Sequence, residues 1–171
     1  DPVRAITNLS SGKMGYAIAQ VAADMGAEVT LVSGITTLSA PTNAFTIKAE
    51  NAQAMYEAVM ANILKQDIFI AVAAVADYRP ATKQDEKIKK STASLTIELT
   101  PNKDILSDVA SLPNHPFCVG FAAETENLLE YAEAKREAKK LPLIVANLAN
   151  EAMGSEENSV TLLDNNGAHV L

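Results

Sequence analysis

The chain has 171 residues, of which 48% are hydrophobic and 5% aromatic, and its formal net charge is −7. This length is enough for one domain with a packed core, and the acidic balance argues against nucleic acid as a partner, since such binding needs a basic stripe. The single Cys118 excludes an internal disulfide and favours a reducing, cytoplasmic location. No apolar run reaches the ~18 residues of a membrane span, so we expect no membrane partner.

The first part of the chain predicts alternating helices and strands. Apolar spacing predicts a helix over residues 12–25, strands over 28–33 and 45–49, and a helix from Asn51, its cap, to about residue 65. The near-continuous apolar run of residues 67–74 is typical of a central parallel strand that is buried on both faces.

A polar, charged segment over residues 75–94 interrupts this alternation and predicts a lid-like loop. The elements predicted after it are a strand over residues 95–99, a helix over 101–112 opened by Asn102, a strand over 116–122, a helix over 124–140 and a strand over 142–147. Residues 159–171 predict a β-hairpin with Asn166 and Gly167 at its turn.

This order of elements predicts an α/β fold. We expect a three-layer, Rossmann-like domain with a mostly parallel sheet, helices on both faces and a C-terminal β-hairpin, all within one domain over residues 1–171. A strand normally feeds the phosphate-binding turn of such a fold, whereas this chain begins at the turn and stops directly after the hairpin. We therefore expect it to be part of a longer chain that supplies a leading strand and a C-terminal end.

The opening loop has the composition of an anion site. Ser10, Ser11 and Gly12 directly precede the first helix, where free N–H groups and the positive end of the helix dipole converge. A serine cap followed by a close-packed glycine explains the same residues without a ligand. The sequence contains neither the G-x-G-x-x-G fingerprint of dinucleotide sites nor the G-x-x-x-x-G-K-[ST] motif of P-loops.

Three further stretches carry polar residues suited to an anionic ligand. Asp77 follows a predicted central strand, at the sheet edge where such folds bind ligands, and its carboxylate suits a sugar hydroxyl. Residues 86–90 place three lysines in the lid-like loop, where they would neutralise phosphate and exclude water on closing. Lys135 and Lys139 lie at i, i+4 on the helix after the strand that contains Phe121. Each stretch also has a simpler interpretation as solvated surface.

The stretches DPVRAITNLSSGKMG, AAVADYR, EKIKK, NKDI and GFAAET, in this order and spacing, resemble the bacterial phosphopantothenate–cysteine ligases, also called phosphopantothenoylcysteine synthetases. The resemblance covers the chain to about residue 147. It implies a ligase that uses CTP to convert 4'-phosphopantothenate into an acyl-cytidylate, with release of pyrophosphate, and then joins it to cysteine with release of CMP. It also implies Mg²⁺ bound with the CTP, a homodimer, and a possible fused decarboxylase domain that carries FMN outside this chain.

The resemblance also implies roles for individual residues. Catalytic roles fall on Asn8, in the second step, and on Lys87, in the first. We expect substrate binding at Arg4, which would meet the pantothenate side or the partner subunit, and at Ser10, Ser11, Gly12 and Ala73. Nucleotide contacts are implied for Ala73, Asp77, Lys87, Lys103, Asp104, Ile105, Leu106, Phe121, Lys135 and Lys139. Lys103 departs from the family pattern, because relatives often carry Pro there.

Three alternatives stay open at this point. An ATP-using ligase of the same family differs in its base contacts, and no residue decides between the two nucleotides. A nucleotide-binding or oligomerisation module without activity would carry the same loops. A nicotinamide oxidoreductase would need an acidic residue at the end of the strand that here ends in Ser33 and Gly34.

Overall fold

Helices and strands alternate through most of the chain in a computed structural model that describes residues 1–90, 94–148 and 159–171. The helices are α1 (Lys13–Asp24), α2 (Ala52–Asn62), α3 (Ile105–Ala110) and α4 (Leu128–Ala138), and a 3-10 turn at Ile63–Lys65 follows α2. The strands are β1 (Val29–Ser33), β2 (Ala44–Lys48), β3 (Ile68–Ala71), β4 (Tyr78–Pro80), β5 (Leu99–Pro101), β6 (Phe117–Glu124), β7 (Leu143–Leu148), β8 (Thr161–Asp164) and β9 (Gly167–Val170).

The described strands form a main sheet in the order β3-β6-β7-β8-β9 and two separate pairs, β1-β2 and β4-β5. The ladders β3-β6, β6-β7 and β1-β2 are parallel. The pairs β7-β8 and β8-β9 are antiparallel and form the C-terminal hairpin side of the sheet, while β4-β5 is an antiparallel ribbon. The predicted α/β class, with its parallel crossovers and terminal hairpin, is confirmed.

One hydrophobic core lies between the main sheet and the helices α2, α3 and α4. Val109 of α3, Cys118 of β6 and Ile144 of β7 are completely buried in it. Burial raises the pKa of the Cys118 thiol, so this residue is an apolar core side chain, as its neighbours in the sequence predict.

Helix α1 lies on the other face of the strands. Val32 of β1 packs against the main core, whereas the hydroxyl of the next residue, Ser33, lies 2.8 Å from the Tyr16 hydroxyl of α1. Successive strand residues point to opposite faces, so α1 and the core helices flank the strands on both sides. Helix α1 packs against the chain just after β3, since a Cβ at Gly15 would lie 3.7 Å from that of Val72, an ordinary contact distance. The predicted three-layer arrangement is confirmed.

The cap predicted for α2 is confirmed, and the one predicted for α3 is wrong. Asn51 caps α2 by accepting a 2.9 Å hydrogen bond from the N–H of Ala54. Helix α3 is capped by Asp104, which accepts a 3.0 Å bond from the N–H of Ser107, and not by Asn102. The Asn102 side chain instead donates to a carbonyl of the segment after β3, so the turn that contains it is held before the helix begins.

Strand β3 is an edge strand of the described sheet and not the buried central strand that residues 67–74 predicted. It pairs with β6, and Ile68 and Ile70 on one face are 58% and 39% exposed. An apolar run indicates that a strand can be buried on both faces. Whether it is buried depends on which neighbouring elements cover it in the fold.

Four smaller boundary predictions are also wrong. The predicted lid-like loop contains β4, and the strand predicted over residues 95–99 begins only at Leu99, because pairing with β4 starts there. Glu124 ends β6 instead of opening α4. The hairpin turn comprises residues 165–166, because Asp164 accepts a 2.7 Å hydrogen bond from the N–H of Asn166 and Gly167 already begins β9.

Candidate nucleotide and carboxylate site

The predicted site residues meet at the carboxyl ends of β3 and β6. These strands are parallel and in register, with Ala71 opposite Gly120, so the segments that follow them leave the sheet side by side. Ala73 and Ala74 are exposed just beyond β3, and Phe121 is half-buried in β6. Open α/β sheets bind ligands at this edge.

Asn8 ties the opening loop to this edge. Its Nδ2 donates to the carbonyl of Ala74, and its Oδ1 accepts a 2.9 Å hydrogen bond from the N–H of Ser10. A primary amide has two N–H donors and two acceptor lone pairs, so one donor and one lone pair are left over from these two bonds. Asn8 therefore both positions the loop and keeps groups that can bind a ligand.

The rest of the opening loop is held in a shape that requires glycine. Gly12 directly precedes α1 and has φ 78°, in the left-handed region that residues with a Cβ rarely adopt. The Thr36 hydroxyl donates a 3.2 Å hydrogen bond to the carbonyl of Ser11. Ser10 and Ser11 are exposed, and the Ser11 hydroxyl accepts a 3.3 Å hydrogen bond from the N–H of Lys13, the first residue of α1, as the alternative of a serine cap predicts.

Asn102 joins the turn before α3 to the segment after β3. Its N–H donates to the carbonyl of Asp77 at 2.7 Å, and its Nδ2 donates to the carbonyl of Ala76 at 2.8 Å. Arg79 donates to the Asn102 Oδ1 at 3.1 Å. The exposed Asp77 carboxylate thus lies next to the Lys103–Asp104 turn. This role of Asn102 is not predictable from the sequence, because an asparagine just before a helix is explained equally well as its cap.

Lys139 and Asp104 form an ion pair between α4 and the start of α3. Partial burial acts to raise the pKa of the Asp104 carboxyl, but hydrogen bonds from Lys139 and Ser107 outweigh it, so this pKa lies below its ordinary value. The Lys139 side chain is 20% exposed and that of Asp104 is 49% exposed. The Lys139 ammonium is therefore held at the site by the Asp104 carboxylate. An anionic ligand would compete with this carboxylate for the ammonium.

Lys135 lies one turn earlier on α4 and also reaches the sheet edge. Its Nζ donates a 3.1 Å hydrogen bond to the carbonyl of Phe121. The lysine pair that the sequence places at i, i+4 therefore points toward β6 and the α3 turn, and not into open solvent. Two ammonium groups at one edge of an acidic chain provide local positive charge for phosphate.

The remaining residues of the predicted nucleotide turn divide between surface and core. Lys103 is exposed and places its Nζ 4.2 Å from the centre of the Tyr56 ring of α2, a cation–π distance. Ile105 and Leu106 are only 8% and 7% exposed. The side chains of Ile105 and Leu106 belong to the core, so at these two positions only backbone groups are available to a ligand.

The lysine-bearing segment of residues 83–90, called the flap below, is joined to the N-terminal segment. Lys87 is exposed. Next to it, the Ile88 carbonyl accepts a 2.9 Å hydrogen bond from Arg4, and the Ile88 N–H donates to Asp1 at 3.2 Å. Asp1 and Arg4 also form an ion pair. Arg4 is predicted from the sequence as a site residue, but Asp1 is not. No local pattern links Asp1 to Ile88, because the two residues are 87 positions apart in the chain.

The described residues form no metal site and no membrane-spanning helix. Residues 1–90, 94–148 and 159–171 contain no group of three or more His, Cys, Asp or Glu side chains arranged to hold a metal ion. Within the same ranges, every helix is too short or too polar to cross a membrane.

A cavity of about 700 Å³ lies at the opposite edge of the sheet, among residues such as Pro116, Phe117, Leu141 and Pro142 that begin β6 and β7. None of the residues predicted from the sequence lines it. The carboxyl edge is the stronger candidate, because separate chain segments carrying Asn8, Asp77 and the two α4 lysines converge there.

The sequence matches the family described as DNA/pantothenate metabolism flavoprotein C-terminal domain over residues 1–171. It is 50% identical over 177 residues to the coenzyme A biosynthesis bifunctional protein CoaBC of Vibrio vulnificus (strain CMCP6), and the alignment covers 100% of this chain and 44% of that relative. The chain therefore spans less than half the length of this curated relative.

Solved structures agree with this match. The C-terminal domain of a coenzyme A biosynthesis bifunctional protein CoaBC has a TM-score of 0.83 and 43% sequence identity, with 100% of this chain and 78% of that chain covered. A Cab2 mutant in complex with phosphopantothenate-cysteine has a TM-score of 0.81 at 14% identity, covering 99% of this chain and 73% of that one, and so shares the fold. The chain belongs to the family of DNA/pantothenate metabolism flavoprotein C-terminal domains.

Proposed function

We propose that this chain is a CTP-dependent ligase of coenzyme A biosynthesis, which joins 4'-phosphopantothenate to cysteine through an acyl-cytidylate. The observation that carries the proposal is the convergence of separate segments at one sheet edge. Those segments are joined by the contacts Asn8–Ala74, Asn102–Asp77, Lys139–Asp104 and Lys135–Phe121. The name of the Vibrio vulnificus relative supports the pathway.

In the first step, a carboxylate oxygen of 4'-phosphopantothenate attacks the α-phosphorus of CTP. A new P–O bond forms, the bond to the bridging oxygen breaks, and pyrophosphate leaves with the electron pair. Negative charge grows on the leaving group, so fixed cations lower the barrier. Lys87 of the flap, Lys135 and Lys139 supply that charge, and magnesium enters as part of the MgCTP substrate.

In the second step, the amine of cysteine attacks the acyl carbon of the mixed anhydride. The C–N bond forms, the bond to the CMP oxygen breaks, and the amine loses a proton to solvent. Asn8 has a spare N–H beside Ala74, and we assign it the hydrogen bond to the acyl-cytidylate. Because the substrate carboxylate is itself the first nucleophile, this chemistry needs no Ser, Cys or His nucleophile of the protein.

We propose the same edge as the nucleotide site. Asp77 would accept from the ribose, and Ala73, Phe121 and the backbone of residues 103–106 would face the base and the phosphates. Ser10, Ser11 and Gly12 would bind the substrate anion at the start of α1. The choice of CTP over ATP follows the resemblance of the sequence to the bacterial ligases, and product analysis with each nucleotide tests it.

A homodimer is part of the proposal, and the β4–β5 ribbon supports it. Leu95, Ile97 and Leu99 alternate along the segment that leads into β5 and are 60%, 49% and 46% exposed. Leu99 begins β5, and Leu95 and Ile97 lie in the irregular segment just before it, and we infer that these three exposed side chains form an apolar strip on the surface. Such a strip suits burial against a second copy of the chain.

The proposal also covers what lies beyond this chain. Since the chain corresponds to less than half of its bifunctional relative, we infer a fused flavin-dependent decarboxylase domain that would hold the FMN. We place the protein in the cytoplasm, because its single cysteine is buried in the core as a thiol.

Product analysis by mass spectrometry tests the proposed function. The chain is incubated with 4'-phosphopantothenate, cysteine, magnesium and either CTP or ATP. We expect phosphopantothenoylcysteine, CMP and pyrophosphate from CTP and little product from ATP. Product from ATP alone would contradict the nucleotide assignment. Binding of CTP without any product would instead favour an inactive nucleotide-binding module.

A further inference from the structure

The carboxylate of Asp1 is the most densely bonded acidic group near the flap. Its side chain is only 1% exposed although it lies at the surface end of the chain. Oδ1 accepts from the N–H groups of Val3 and Arg4 at 3.1 and 3.0 Å. Oδ2 accepts from the Arg4 guanidinium and, at 3.2 Å, from the N–H of Ile88.

Asp1 and Arg4 together bind both backbone groups of Ile88. The Arg4 Nη2 donates to the Ile88 carbonyl at 2.9 Å, while Asp1 accepts from the Ile88 N–H. This is how a neighbouring β-strand would pair with that residue, but here a salt-bridged pair of side chains makes both bonds. Charge-assisted hydrogen bonds of this kind are about twice as strong as neutral ones.

This contact is the connection between the flap and the rest of the protein. Among the described residues, hydrogen bonds that link residues 82–90 to other parts of the chain run through Ile88 alone. Lys87 is the residue directly before it, and Arg4 lies four positions before Asn8. The same ion pair thus connects the flap lysine with the segment that carries Asn8.

We propose that Asp1 is a positioning residue for the ligase reaction, which anchors the flap at Ile88 through Arg4 and so sets the place of Lys87 in the first step. This inference rests on the proposed function and adds to it a residue that does not itself contact the reacting atoms. Misplacement of a catalytic group by about 1 Å can cost about 100-fold in rate, so a fixed anchor one residue from Lys87 matters for the first step.

The test compares Asp1→Asn with Asp85→Asn. Both variants replace a carboxylate by an amide, but Asp85 lies in the flap and makes no hydrogen bond among the described residues. The Asp1→Asn substitution removes the negative charge of the side chain. It also replaces one of the two carboxylate oxygens, which accept hydrogen bonds, by an NH2 group, which donates them. We expect pyrophosphate release from CTP to slow by about 10- to 100-fold, with conversion of supplied acyl-cytidylate by cysteine unchanged. Asp85→Asn should match the parent in both assays.

Hydrogen–deuterium exchange of peptides spanning residues 83–90 supplies a second measurement that does not depend on activity. Asp1→Asn should speed exchange at Ile88, and Asp1→Glu, which keeps the charge, should restore part of the protection. Unchanged exchange would show that Asp1 does not anchor the flap. Faster exchange with normal pyrophosphate release would show that the anchor is irrelevant to the first step.

The two proposals fail in different ways. If the parent chain releases no pyrophosphate from CTP, the proposed function falls and the positioning role of Asp1 in the reaction falls with it, while exchange still reports whether Asp1 holds the flap. If the parent is active and Asp1→Asn slows both steps equally, Asp1 acts on overall folding. Equal urea midpoints for the parent and Asp1→Asn would contradict that outcome.

Discussion

Polar side chains at the candidate site donate hydrogen bonds to backbone carbonyls near the ends of the strands. Such donors satisfy groups that the sheet leaves unpaired, so each one both holds a segment and lies where a ligand would bind. The pairs are Asn8 with Ala74, Asn102 with Ala76 and Lys135 with Phe121. A substitution at these positions is therefore expected to affect both the local structure and ligand binding. For a charged residue, the salt dependence of the ligand dissociation constant separates the two effects.

Lys135→Ala tests the charge at residue level. We expect the dissociation constant for CTP to rise about 10-fold at an ionic strength of about 0.05 M and clearly less at about 0.5 M, because salt screens the attraction between an ammonium and phosphates. Calorimetric titration at the two ionic strengths measures it. Lys65→Ala is the control, since Lys65 is an exposed lysine that precedes β3 at the opposite edge of the sheet. If the parent and Lys135→Ala bind CTP with equal affinity at low salt, Lys135 has only a structural role.

At the scale of single elements, helix α3 shows how a cap and a site residue coincide. Asp104 caps this helix through Ser107 and also pairs with Lys139 of α4. The helix is only six residues long, and short helices depend on tertiary contacts for stability. The ion pair across to α4 therefore helps to hold α3 and the adjoining turn against the sheet edge.

The lowered pKa of Asp104 predicts a pH dependence of stability. A carboxyl whose folded pKa is depressed stabilises the fold fully above its unfolded pKa, about 3.9, and this contribution is lost as the pH falls through the lower folded value. Asp104→Asn keeps a capping side chain but loses the charge. We expect it to be less stable by about 0.5 kcal/mol at neutral pH, since the pair is partly exposed, and equal to the parent below both pKa values.

Urea denaturation at neutral pH and at a series of falling acidic pH values measures this difference, which should shrink as the pH falls. Asp108→Asn serves as the control, because Asp108 is an exposed carboxylate in the first turn of the same helix. A stability difference between Asp104→Asn and the parent that stays constant with pH would contradict the assigned role of the charge.

At the scale of the whole molecule, the site and the proposed dimer surface depend on the same segment. The residues after β3 carry Ala73 and Asp77, then form β4, and β4 pairs with β5 at the end of the exposed apolar strip. Asn102, directly after β5, returns to Asp77. Association through the strip would therefore lie close to the predicted nucleotide turn at residues 103–106.

Ile97→Lys tests the dimer. A charge on the apolar strip would remain unpaired in the interface, so we expect the dissociation constant of the dimer to rise by about 10-fold or more. Sedimentation velocity over a range of protein concentrations measures it. Ile35→Lys is the matched control, because Ile35 is an isoleucine that is 87% exposed outside the strip. A parent chain that stays monomeric at high concentration would contradict the dimer.

The α/β class, most elements and the Asn51 cap are predictable from the amino-acid sequence, because they depend on periodicity and on neighbours within a few residues. A family resemblance in the sequence also predicts roles for Asn8, Lys135 and Lys139. The edge position of β3, the Asp104 cap of α3 and the bond from Asp1 to Ile88 become visible only in the folded chain. Those outcomes depend on contacts between residues far apart in the chain, such as the 87 positions between Asp1 and Ile88. The local sequence pattern does not indicate such distant partners, because they are brought into contact only when the chain packs.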